Sequence, residues 1–199
     1  RLLYNYIWPG GLAHDLPPNF INNATEFLDY FEPQIVEYNN LLTTNKIFIE
    51  RSADVGVMPK EVAINYGVTG PSLRGSGIPF DLRKTEPYSI YDKFDFDVPV
   101  GEGKMGTVGD CWDRYYIRVL EMKESIKILR QALSQIPKGD VQSALPKKIR
   151  PKKGEVYSQY ETARGDVGFY IRSDGKNTPT RLKMRSPAYC NLSVINEIS

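Results

Sequence analysis

Histidine and cysteine are almost missing from this sequence. His14 stands alone, and Cys111 and Cys190 are the only cysteines in 199 residues. A zinc site built from cysteine and histidine needs four such ligands, so none fits here. Carboxylates remain as ligands for a hard metal, but no spacing proposes such a site. So few cysteines suit a reducing compartment, with both expected as buried thiols. Also missing is an apolar run near the roughly 20 residues that span a bilayer. No charge sign is in excess: the formal net charge is +2, which argues against a dedicated nucleic-acid binder. The chain opens RLLYNYIW, without an initiator methionine or signal-peptide pattern, and reads as a piece of something longer. Internal repeats and low-complexity tracts are missing too.

What is present is amphipathic. In residues 110–136, Tyr115, Val119, Met122, Ile126, Leu129 and Leu133 alternate steps of four and three, the seam of a helix laid against a neighbour. Asp110 is placed to cap it, Asp113 falls near the positive end of its dipole, and Pro137 and Gly139 stop it. Lys123, Lys127 and Arg130 lie on the other face, towards water or a polar partner. Residues 21–42 carry a second seam: Ala24, Leu28, Phe31, Ile35, Tyr38 and Leu42. Pro33 lies opposite this seam, so the pattern predicts one bent helix, with two abutting helices as the alternative, capped by Asn22 or Asn23 and with Asn45 just past its end. The two seams are expected to pack together.

Between them, Ile47–Ile49 is a short apolar run. Residues 59–66 fit a short helix, with Pro59 in its first turn and Gly67 at its end. Residues 67–84, GVTGPSLRGSGIPFDLRK, are dense in glycine. The run lacks both the Gly-Lys-Ser/Thr ending and a GxGxxG, so a tight buried turn is expected rather than a phosphate cradle. Arg74, Asp81 and Arg83 fall in this apolar setting as a candidate internal charge network: either a structural tie or charges beside a redox centre or proton path. Phe94, Phe96 and Val98 would share one strand face.

His14 precedes Asp15, but no nucleophile is designated, so a catalytic pair is not expected. After residue 146 the composition turns basic (Lys147, Lys148, Arg150, Lys152, Lys153) and then strand-like. Leu182 and Met184 are expected inward, with Arg181, Lys183 and Arg185 outward. Asp174 and Gly175 supply a turn, and residues 192–199 begin a further helix. Nearby tyrosines, Tyr157, Tyr160 and Tyr170, could stack bases, but a solvated or subunit-facing surface is the expectation. The fold class is α+β: part of an amphipathic helical bundle (residues 1–145, with the glycine-rich connection) and a small antiparallel β subdomain (146–199), both parts of one truncated domain.

Four blocks, NYIWPGGLAHDLP (5–17), INYGVTGPSLRGSGIPFDLRKTEPYSIYDKFDFDVPVG (64–101), GDCWDRYYIRVLEMKESIKILRQAL (109–133) and ARGDVGFYIRSDGKNTPTRLKMRSPAYCNL (163–192), together resemble one family. It is the D subunit of NADH-quinone oxidoreductase, the 49-kDa-type subunit of respiratory complex I, and the resemblance covers essentially the whole chain. That family is similar to the large subunit of nickel–iron hydrogenases with the metal cysteines lost, so a larger hydrogenase-like fold is implied. A hydrogenase-like subunit or a non-catalytic interaction module is the alternative, and nickel–iron chemistry would demand paired cysteines near both ends of the full subunit.

The resemblance implies a subunit of a complex that passes electrons from NADH to quinone and couples this to proton or ion translocation. It implies a peripheral arm on the cytoplasmic side of the bacterial inner membrane, or the equivalent organelle face, without a membrane span or nucleic acid. The main partner implied is the subunit carrying the terminal iron–sulfur cluster. The family's quinone-contacting histidine and tyrosine precede Arg1, and a further lining segment follows Ser199. No quinone, NADH, metal or catalytic residue is therefore implied within the chain, which is expected to be inactive alone and to serve as scaffold. Many members carry histidine where Leu3 stands and arginine where Trp8 stands; leucine cannot titrate near neutral pH as histidine does. Many also carry a helical insertion around 147–156 that is missing here.

Overall fold

The structure, a computed structural model, describes residues 6–146 and 148–199. Leu3 and Lys147 lie outside the described residues. A two-residue hairpin, β1 (Ile7–Trp8) and β2 (Gly11–Leu12), leads in. Five helices follow: α1 (Phe20–Tyr38), α2 (Lys46–Ser52), α3 (Lys60–Asn65), α4 (Pro71–Gly75) and α5 (Leu82–Thr85). The long α6 (Cys111–Ser134) comes next, then strands β3 (Gly154–Thr162), β4 (Gly165–Ser173) and β5 (Arg181–Arg185) in an antiparallel sheet of order β3-β4-β5. Two short helices, α7 (Pro187–Ser193) and α8 (Ile195–Ile198), close the order. No described helix is long and apolar enough to cross a membrane.

Helix α6 is the spine. Its cap is Asp110, whose Oδ1 accepts from the Asp113 amide at 2.8 Å, while its Oδ2 accepts from the Asp54 amide at 2.9 Å. Val119 and Ile126 bury against Leu28 and Ile35 of α1, with Phe31, Tyr115, Met122 and Leu133 packed around them. Three seam residues depart from expectation: Tyr38 and Leu42, where the end of α1 runs into a wider turn, are 39% and 44% exposed, and Leu129 of α6 is 47% exposed. An α-helix turns about 100° per residue, so Leu129 sits about 60° round from Ile126, on the flank that α1 leaves open. The outer face is paired as well as solvated: Arg130 bridges Asp29 at 2.8 Å and Glu32 at 2.9 Å on α1, and Lys127 meets Glu124 at 2.8 Å.

Helix α1 is continuous through Pro33. It starts after Asn19, not at Asn22 or Asn23: Pro17 and Pro18 cannot supply helical amides, and Asn19 takes the left-handed conformation, φ 61°, that asparagine tolerates. Its last turn widens into a π-helical turn, Asn39–Thr43, held by Thr43 Oγ1 donating to Asn39 Oδ1 at 2.8 Å. Asn45 opens the next element instead of ending this one. Its side chain accepts from the Ile47 and Phe48 amides at 2.9 and 3.2 Å, so Ile47–Ile49 is helical.

Two expectations about extended chain are corrected. Phe94 and Phe96 bury together against Ile128 of α6, but the segment is no strand. Its backbone bonds go to helix side chains: the Asp95 amide to Gln131 Oε1 at 2.8 Å, the Asp97 amide to Glu124 Oε2 at 2.9 Å. In β5 Arg181 and Lys183 are exposed as expected, but Leu182 and Met184 are exposed too, at 53% and 64%, and only Arg185 is half-buried. This strand reaches the helical part through its last residue, where Arg185 donates to the carbonyls of Asp166 and of Gly67 (2.6 and 2.7 Å). The closing helices also begin earlier than expected, at Pro187, and both cysteines are half-buried free thiols rather than fully buried ones.

Candidate functional site

The glycine-rich segment forms a knot of close backbone approaches. Gly70 precedes α4 with φ 71°, and a Cβ there would stand 2.5 Å from the Gly165 Cα in the β3–β4 turn. Across α4, a Cβ on Gly101 would stand 1.9 Å from the Gly75 carbonyl oxygen. The amides of this loop are spent internally: Gly101 donates to the Arg74 carbonyl at 2.8 Å, and Gly77 does so at 2.9 Å. That matches the buried turn that the sequence predicts, since the amides do not converge on an open cradle.

This knot holds Arg74 at 1% exposure between α6 and the sheet. Its Nε donates to Glu121 Oε1 at 2.6 Å, and its Nη1 to Glu161 Oε1 at 3.1 Å and to the Phe80 carbonyl at 2.9 Å. Asp81 Oδ2 lies 3.5 Å from the same Nη1. Asp81 caps α5, accepting from the Arg83 amide at 2.9 Å, and holds the Arg83 guanidinium by a two-point contact at 2.9 and 2.6 Å. Arg83 in turn lies over the Phe96 ring, 5.0 Å from its centre. The structure thus brings Arg74, Asp81 and Arg83 together and adds two carboxylates that the sequence did not single out. Glu121 lies on α6 and Glu161 at the end of β3, and the only local sign of the latter is an acid in an otherwise strand-like run.

The carboxylates differ in electrostatics. Burial pushes the Asp81 pKa up, but the hydrogen bond and charge of Arg83, with Arg74 behind, outweigh it and hold the carboxyl below its ordinary value. For Glu161 burial wins: Arg74 opposes it, Asp81 reinforces it, and the pKa is raised. Asp166, directly across the ladder from Glu161, is also raised by burial, against Arg185 and with Glu86. Tyr88 bonds to the backbone of Glu161 at 3.2 Å in both directions, and its pKa is pushed up to about 12 by burial and by Tyr91. Beside the network opens a cavity of about 450 Å³, lined by Arg74, Arg83, Arg118, Glu121 and Glu161 among others.

Other suggestive residues gather no chemistry. His14 is exposed, and its neighbour Asp15 accepts from the Leu16 amide at 2.7 Å. Trp8 is 49% exposed in the leading hairpin. Of the basic run, Arg150 bonds to Asn177 at 3.0 Å on the surface.

The family model described as "Respiratory-chain NADH dehydrogenase, 49 Kd subunit" matches residues 1–153 and 143–199. The chain belongs to this family. The NADH-quinone oxidoreductase D subunit of Chlorobium luteolum is 52% identical over 203 residues, covering 100% of this chain and 51% of its own length. The D subunit of Chlorobaculum tepidum shows the same identity and coverage. The D 1 subunit of Cytophaga hutchinsonii is 48% identical over 207 residues, again the whole of this chain and 53% of its own length. The chain therefore spans about half the length of these 49-kDa-family relatives. Arg74, Asp81, Glu121 and Glu161 all lie within the family match.

Proposed function

We propose that the chain is part of the quinone-site subunit of an NADH-quinone oxidoreductase, acting in electron transfer from NADH to quinone coupled to proton translocation. The observation that carries this reading is identity of about half over the whole chain to relatives named for that activity. Within the complex this piece acts as scaffold. Residues 1–145 and 146–199 work as parts of one unit, because Glu161 of the second reaches into the charge network that the first builds. The network of Arg74, Asp81 and Arg83, joined by Glu121 and Glu161, pins the glycine-rich knot to α6 and the sheet. It thereby keeps the loops around a quinone pocket in register with the subunit that carries the terminal iron–sulfur cluster.

The quinone-contacting groups and the NADH and flavin sites lie elsewhere in such a complex, so the chain alone is inactive. The assembly sits as a peripheral arm on the cytoplasmic side of the membrane. Affinity purification of the protein at its natural length tests the reading. Recovery with an NADH-oxidising module and an iron–sulfur subunit supports it; recovery without either, or with a hydrogen-oxidising enzyme, contradicts it.

A further inference from the structure

Arg74 directs Nε and Nη1 at protein acceptors, but its Nη2 makes no hydrogen bond among the described residues. The cavity of about 450 Å³ lies against this side chain, within the size range of small-ligand sites. Its wall also carries Arg118, exposed on α6 one turn before Glu121. The Arg118 guanidinium donates to the Arg114 carbonyl and has no ion pair among the described residues. The carboxylates that face it are already engaged: Glu121 and Glu161 by Arg74, Asp81 by Arg83. Desolvation by the surrounding chain lowers the Arg118 pKa, opposed by Glu121 and joined by Arg114 and Arg74. Ser125 and Thr162 bring hydroxyl groups to the same wall.

We propose that this cavity is a carboxylate-binding site, in which Arg118 and the Nη2 of Arg74 hold one carboxylate between them. A guanidinium fork matches the two oxygens of a carboxylate, and a neutral ring such as a quinone head would leave Arg118 uncompensated. The same chemistry has two sources, an acidic side chain of a neighbouring chain in the assembled complex or a small free carboxylate. The inference does not depend on the quinone-site reading, since it rests on the lining of this cavity alone.

The test uses the intact complex, with Arg118→Gln and Arg118→Lys beside the wild type. Melting is followed in sodium succinate and in sodium chloride at equal ionic strength, and subunit retention is followed by gel filtration in rising salt. A free-ligand site predicts that succinate raises the wild-type midpoint by about 2–4 °C, less in R118K and not at all in R118Q. A partner's side chain predicts no succinate effect, but loss of one neighbouring subunit from R118Q at a salt concentration that wild type and R118K withstand. Unchanged melting and unchanged retention in R118Q overturn the proposal. If R118Q fails to assemble, an experimental map of the wild-type complex decides. A carboxylate within about 4 Å of Arg118 supports the site; water alone or an apolar side chain there overturns it.

Discussion

At the scale of the residue, Arg74 sets the terms. A buried ion pair adds little net stability over an apolar replacement, yet removing one partner strands the other and costs about 3–5 kcal/mol. Asp81→Asn is therefore expected to destabilise the protein by that amount in urea unfolding, with Arg83→Lys milder because the charge remains. Within the network two acids shift in opposite directions. Asp81 is held below its ordinary 3.8, so its contribution is present above that value and lost as pH falls through its lower folded pKa. Glu161 is raised above its ordinary 4.5, so its contribution is complete below 4.5 and is lost as pH rises through the folded pKa. Glu161→Gln should accordingly lessen the fall in stability expected as pH rises above 4.5, with Asp166 and Asp113, also raised, keeping the remainder; an unchanged slope would refute this assignment. Arg74, Asp81 and Arg83 stood out in sequence as charges among glycine and apolar residues. Glu121 and Glu161 did not, because their burial depends on contacts 47 and 87 residues away along the chain.

At the scale of the element, periodicity carried the helices. The seams of α1 and α6 and the Asp110 cap follow from local spacing and capping chemistry, and α3 ends at Gly67, φ 62°, for the same reason. Alternation was less informative. Phe94 and Phe96 alternate because they straddle a helix side, with Gln131 and Glu124 taking the place of a partner strand. In β5 alternation misled, because residues of both faces are exposed and only Arg185 is half-buried. The sheet meets the knot through Gly165, Asp166 and Arg185 rather than through apolar residues, and a sequence pattern that scores only hydrophobicity does not find that contact. The glycine knot offers a contrast within one residue type. Gly101→Ala places a methyl group 1.9 Å from the Gly75 carbonyl oxygen and should cost about 1–3 kcal/mol or more, because backbone must move. Gly154→Ala meets nothing within 4 Å and should stay within about 0.5 kcal/mol in the same unfolding series.

At the scale of the whole molecule, physics and resemblance contributed different things. Seams, caps and glycine turns gave an α+β arrangement without chemistry. In the sequence the family was legible in four ordered blocks, and the family match over the whole chain shows it; fold elements of this kind host many functions. The two meet in a charge network that fixes a glycine knot, within a subunit proposed to shape a quinone pocket while NADH oxidation proceeds on other subunits. Breaking the network should therefore uncouple the two ends of the reaction. Membranes carrying Arg74→Gln in the natural-length protein are assayed for NADH-dependent quinone reduction and for NADH oxidation by a water-soluble artificial acceptor. The expected outcome is that the quinone rate falls about tenfold or more, a barrier change near 1.4 kcal/mol, while the artificial-acceptor rate is retained. A quinone rate that stays at the wild-type level, or an artificial-acceptor rate that falls in step with it, would contradict the scaffold role.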